Sequence, residues 1–152
     1  MTDPLESISP TDVVEGATDW IREQGLTDAT FEQIGDRLKM LAQRTDLFDI
    51  GEHRGRGINA VDSYVLYRGE GLEDPIIILA AFDRSTHVHN HGTWGVMCAY
   101  KGRERYQQWR RTDEGIEEGK ALLELVNDRE LAEGDVVWWP DPPHDIHRQE
   151  PL

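Results

Sequence analysis

Cysteine is nearly missing from this chain of 152 residues: Cys98 stands alone, so no intrachain disulfide can form and a reducing compartment is expected. Long apolar runs are missing too, and no stretch approaches the roughly eighteen residues that a membrane helix needs. The opening MTDPLESISPTD has neither a basic start nor an apolar segment, so no export or targeting signal is expected and the cytoplasm is the default location. Positive charge is scarce, with 16 basic against 30 acidic residues and a formal net charge of -14. Such a balance repels phosphate backbones and anionic lipid, which excludes nucleic acid and membrane surfaces as expected partners and favours solubility. Only three of the basic residues are lysine, a composition compatible with a high-salt host. Neither internal repeats nor low-complexity tracts are present.

A chain of this length is most simply one structural domain, able to bury roughly 70% of the surface its unfolded form exposes. It divides into a helical lead over residues 1–50, packed on a β domain over residues 51–152. Ser9 before Pro10 reads as an N-cap with proline in the first helical position, and Val13, Val14, Ala17, Trp20 and Ile21 recur at helical spacing until Gly25. Thr30 with Gln33 reads as a capping box, and Phe31, Ile34, Leu38 and Leu41 form the apolar stripe of a second helix running to about Gln43.

From Ser63 onward the segments SYVLYR, PIIILAAF, TWGVMCAY, ERYQQWR, ALLELV and DVVWWP are short, rich in β-branched and aromatic residues, and separated by turn formers. Most connections are too short for crossover helices. The fold class expected is therefore mainly β, an antiparallel sandwich or jelly-roll barrel preceded by two α-helices. RTDEGIEEGK reads as a solvated hairpin loop.

Histidine is what the chain does concentrate. STHVHNHGTWG places His87, His89 and His91 at alternate positions, which on a strand project to one face about 6.5 to 7 Å apart. Neighbours can share an ion that needs each nitrogen at roughly 2.0 to 2.2 Å, whereas the outer two, about 13 Å apart, cannot. The working pair is 87/89 or 89/91. WWPDPPHDIHRQEPL adds His144 and His147 near the end of the last clear strand, while His53, in EHRGRG, reads as a loop residue.

The runs HNHGTWGVMCAYKGRER and GDVVWWPDPPHDIHR, in that order, resemble the two metal-binding motifs of the cupin superfamily, in particular its cysteine dioxygenase-like thiol dioxygenase branch. The similarity spans Ser63 to Arg148. It implies a cupin-type jelly roll, Fe(II) held by His89, His91 and His147, and a small-molecule thiol oxidised by O2 to a sulfinate. His87 and His144 would then stand behind the ligands or at the rim. Asp145, Asn90 and Thr93 are candidates for fixing the imidazoles or for serving turns. Trp94, Trp138 and Trp139 either wall the cavity or belong to an ordinary core or aromatic rim.

Where many cupins carry a further glutamate ligand, this chain has Gly92, Thr93, Trp94, Gly95 and Val96, and Glu104 lies beyond the Gly102 turn and is expected to face elsewhere. Three neutral imidazoles leave a divalent ion its full charge and up to three open positions, which suits a thiolate and dioxygen together.

The chain departs from that branch in three places. The Tyr-x-Arg segment that grips a substrate carboxylate is replaced in NAVDSYVLYR by Val61 and Ser63, so free cysteine is not implied, and Arg68 is the nearest substitute. No tyrosine follows Tyr106, and the sequence given stops soon after His147 without the further strand, so the expectation is either a second copy covering an exposed barrel wall, as a homodimer, or a truncated version of the sequence. Cys98 is displaced from the place where a cysteine crosslinks to that tyrosine, so no crosslink is expected. Two other readings share the ligand set: a Zn or other divalent-metal cupin enzyme, and a cupin that binds metal or a small ligand without catalysis.

Overall fold

A computed structural model describes residues 8–57 and 61–152. The first seven residues, and Asn59 and Ala60 of NAVDSYVLYR, lie outside the described residues, so the expectation of an untargeted N-terminus does as well.

Among the described residues three helices lead: α1 Pro10–Gln24, α2 Asp28–Leu41 and α3 Leu47–Ile50. At the start of α1 the Ser9 hydroxyl accepts from the Asp12 N–H and the Asp12 carboxylate accepts from the Ser9 N–H, so two donors that a helix start leaves orphaned are satisfied reciprocally. The start of α2 lies one turn before the expected one. Thr27 is the cap and accepts from the Thr30 N–H at 3.2 Å, while the Thr30 hydroxyl turns back onto the Gly25 carbonyl at 2.8 Å. A hydroxyl was available at both threonines, and the one that leaves Phe31, Ile34 and Leu41 buried prevails. No helix among the described residues is long and apolar enough to cross a membrane.

Eight strands follow among the described residues: β1 Glu52–Arg56, β2 Val61–Arg68, β3 Ile76–Phe82, β4 Gly95–Cys98, β5 Glu104–Arg111, β6 Leu123–Leu131, β7 Val136–Trp139 and β8 Ile146–Pro151. All pairings are antiparallel, in sheets ordered β1-β2-β3, β4-β7 and β6-β5-β8, none of them closed. The protein is thus mainly β with a few leading helices. Strands β1 and β8 and helix α3 were not legible as elements. His53 accordingly sits on a strand rather than in a loop, stacked on Tyr64 and 3.2 Å from the Asp62 carboxylate.

One core cluster joins helices to the first sheet through Ile8, Val13, Leu41, Leu47 and Leu79. A second, of Ala99, Tyr106, Leu131 and Val137, fills the space between the β4-β7 ribbon and β5-β6. Helix α2 lies on the outer side of that ribbon. It approaches so closely at Gly35 that an added Cβ would stand 2.6 Å from Val136 Cγ1, and the Trp138 indole N–H reaches Asp28 at 3.3 Å. Because strand side chains alternate, Trp139 then faces the opposite way, into the space where the histidines meet.

Candidate metal centre

The segment 83–94 is not the regular strand its alternating histidines predict. It is extended but irregular, and it lies along the free side of β8 through two backbone contacts. His89 and His147 exchange both N–H···O bonds, at 3.0 and 2.9 Å, and the Thr86 N–H donates to the Gln149 carbonyl at 2.9 Å. Directly opposed residues on antiparallel chains share a face, so one bridge aligns two imidazoles contributed from widely separated places in the sequence. Beyond it Gly92, at φ 75°, turns the chain, and the buried Asp145 carboxylate accepts from the N–H groups of both His91 (2.9 Å) and Gly92 (2.6 Å). Asp145 therefore shapes the loop rather than bonding an imidazole ring.

The result is one cluster. His89, His91 and His147 each offer a ring nitrogen, and these lie within 4.8 Å of one another. His147 Nε2 is 3.0 Å from His89 Nε2 and 2.7 Å from His91 Nε2. Nitrogens about 2.1 Å from one ion, at right angles to each other, would stand about 3.0 Å apart, so the spacing fits a shared divalent metal.

Proton bookkeeping points the same way. His89 Nδ1 lies 2.7 Å from the His87 carbonyl, which only accepts, so the His89 proton is assigned to Nδ1 and Nε2 keeps a lone pair. His147 Nε2 faces two nitrogens but has either one proton or one lone pair, so at most one of its two short contacts is a hydrogen bond in a neutral trio. Protonation is not a cheap escape: burial, with the neighbouring His89 and His91, drives His147 from 6.5 down to about 2. His91 is also lowered, by burial of its ring first and by His89 second, with Asp145 opposing, although the residue at the mouth is exposed overall. A cation that accepts three lone pairs satisfies every nitrogen at once.

Two aromatic residues frame the trio. The Tyr106 hydroxyl, fully buried, lies 3.1 Å from His147 Nδ1 and so fixes which nitrogen of that ring faces the others. Burial holds the phenol far above its ordinary pKa; a Gln108 hydrogen bond and the Arg129 charge oppose this, while Glu104 adds to it. Trp139 stacks on His91 with ring centroids 5.0 Å apart and meets His147 edge-on at 4.7 Å, and its indole N–H donates to the Thr93 carbonyl.

Other predicted residues are placed elsewhere. His87 is exposed and contributes its carbonyl, not its ring, to the trio. His144 is exposed beside a shallow depression of about 260 Å³ shared with Gln108, Trp109 and Pro140. Trp94 packs on Phe31 of α2 at 5.9 Å, so the tryptophan at the cluster is Trp139. Asn90 is exposed, and Thr93 acts through its backbone. Arg68 is exposed at the end of β2 opposite Ile76 and bonds none of the three histidines. Glu104 does not turn outward: it is 9% exposed, accepts from Gln149 at 3.2 Å and shares the inner face of β5 with Tyr106, because residues two apart on a strand face the same way. It stays outside the ligand cluster. Tyr106 is the member that sequence reasoning missed; its only local signal is its inward parity within ERYQQWR.

No protein-family model matches the chain, and no curated protein matches it either.

Proposed function

We propose that the protein is a metal-dependent oxidoreductase of cupin type, its open sheets forming a jelly-roll wall, that uses Fe(II) on His89, His91 and His147 to convert a small thiol to a sulfinate with dioxygen. One observation carries this reading: among the described residues three imidazoles converge with no carboxylate in the cluster, on a site whose His91 side is open. The sequence resemblance agrees with it.

Iron bound there would supply open positions at which a thiolate and dioxygen meet, and both oxygen atoms end on sulfur, so no external reductant is consumed. The chain's own groups do the rest. The His87 carbonyl holds His89 in the tautomer that presents Nε2, and the Tyr106 hydroxyl orients the His147 ring with its Nε2 toward the other two. Asp145 locks the loop that carries His91, and the Trp139 indole keeps water from one side of the pocket.

Anaerobic loading with Fe(II), followed by oxygen uptake with a panel of small thiols, tests the proposal. One O2 consumed per sulfinate formed is expected, with activity and stoichiometric iron both lost in His147→Ala. Stoichiometric zinc in the isolated protein, with no oxygen uptake from any thiol after iron loading, would refute it.

A further inference from the structure

Each open sheet ends in strands with one unpaired backbone side, and such edges invite another chain unless something guards them. Two of the longer edges are guarded by charge. Strand β1 carries Glu52, Arg54 and Arg56, and β6 carries Glu124, Asp128, Arg129 and Glu130 together with a shift of register. The strands of the β4-β7 ribbon are only four residues long and lie under α2. Strand β3 has none of these protections. Over its seven residues, IIILAAF, it carries no charge, in a chain where 30% of residues are charged. One side of it bonds β2, and among the described residues no backbone group bonds the other. Ile77 and Leu79 turn into the helical core, whereas Ile76 and Ile78, 48% and 53% exposed, and Ala80 stand open on the opposite face.

The stretch around β3 is complementary to itself. With Leu79 on a two-fold axis, an antiparallel copy sets Ile78 opposite Ala80 of the second copy and Ile77 opposite its Ala81, so a large side chain meets a small one on each face, and Ile76 packs on Phe82. The same register sets Asp74 opposite Arg84 at both ends. That arginine is 68% exposed and meets the neighbouring Asp83 at 3.4 Å. Opposite charges at the two ends with apolar rows between them are matched by a second copy of this chain running the other way.

We infer that β3 is a self-association edge: it pairs antiparallel with β3 of a second copy about Leu79, joining two three-stranded sheets into one of six. A strand about 24 Å long pairs over an area near the lower bound of specific interfaces, about 1,000 Å² in total, so the dimer is expected to be reversible with a dissociation constant in the micromolar range. Each copy carries a net charge of -14, so added salt screens the repulsion and tightens the pairing.

Analytical ultracentrifugation of the full chain in reductant, over a range of concentration and salt, provides the test. A monomer–dimer equilibrium that strengthens as salt rises is expected, with protection of the β3 amides from hydrogen exchange that grows with concentration. Ile78→Lys sets a charge at the centre of the edge, on the open face away from the core. It should weaken the dimer by about thirtyfold or more, the loss that a central interface residue carries, with the urea midpoint at dilute, monomeric concentration unchanged. A chain that stays monomeric at every concentration and salt, an association that salt weakens, or a dimer that Ile78→Lys leaves intact would each overturn the assignment, and none of these results bears on the metal site.

Discussion

At the scale of single residues, the candidate site depends on which nitrogen of each ring carries its proton. For His147 the neighbour that can exchange a hydrogen bond with Nδ1, and so hold the ring with Nε2 toward the other two histidines, is the Tyr106 hydroxyl, which lies within the core. Removing that hydroxyl keeps the aromatic ring but takes away the hydrogen bond that orients the imidazole. Tyr106→Phe is therefore expected to lower divalent-metal affinity by about tenfold, as losses of such supporting contacts do. Competition of the variant against a chelating indicator, beside wild type, measures it. A change within twofold would mean that the backbone bridge to His89 suffices to orient His147.

The elements place these residues, and their legibility follows from how local their causes are. Helix α1 was readable to its ends because Ser9, Pro10 and Gly25 act within a few residues of themselves. Strands β2 to β7 announced themselves through β-branched and aromatic runs. Strand β8 did not: IHRQEP is polar and ends in proline, and it becomes a strand because β5 pairs with one side of it and the histidine segment with the other. The contact between Tyr106 and His147 depends on a register set between residues far apart in the chain, which no local pattern records. His89, His91 and His147 were legible as a set through motif resemblance. Spacing alone left 87/89 and 89/91 equivalent, and it is the bridge to His147 followed by the turn at Gly92 that separates them.

The β4-β7 ribbon supplies the test at this scale. Gly95 opposes Trp139, and an added Cβ would lie 2.2 Å from Trp139 Cζ2, in a ring held by its own hydrogen bond and by two imidazoles. Gly95→Ala should cost about 1–3 kcal/mol by overpacking, seen as a lower urea midpoint, and should move the tryptophan emission as the indole is displaced. An unchanged midpoint would show that the ribbon can slide against α2.

For the whole molecule, the cluster ties stability to pH. The folded chain holds His147 neutral down to about 2, whereas the unfolded chain protonates it near 6.5. Across that window the unfolded state binds more protons, so metal-free stability rises with pH and falls on acidification, with a slope approaching 1.4 kcal/mol per unit from this one group. Asp128, held near 2 by its hydrogen bonds from Arg105, loses its contribution in the same direction but only at lower pH. Urea unfolding of metal-free protein between pH 7 and 5 reads this histidine together with His91, which is lowered in the same direction. His147→Gln should flatten the slope there, and an equally steep profile in the variant would assign it to other groups.

Strand β8 has two neighbours of unequal strength: a continuous ladder to β5, and on its other side little more than the bridge at His89 and the contacts at Thr86. An ion shared by His89 and His147 would rivet the weaker seam shut. Occupancy of the site would then protect the backbone amides of residues 86 to 91 from solvent exchange, so that a protein selected to keep its metal would also keep this segment from peeling away.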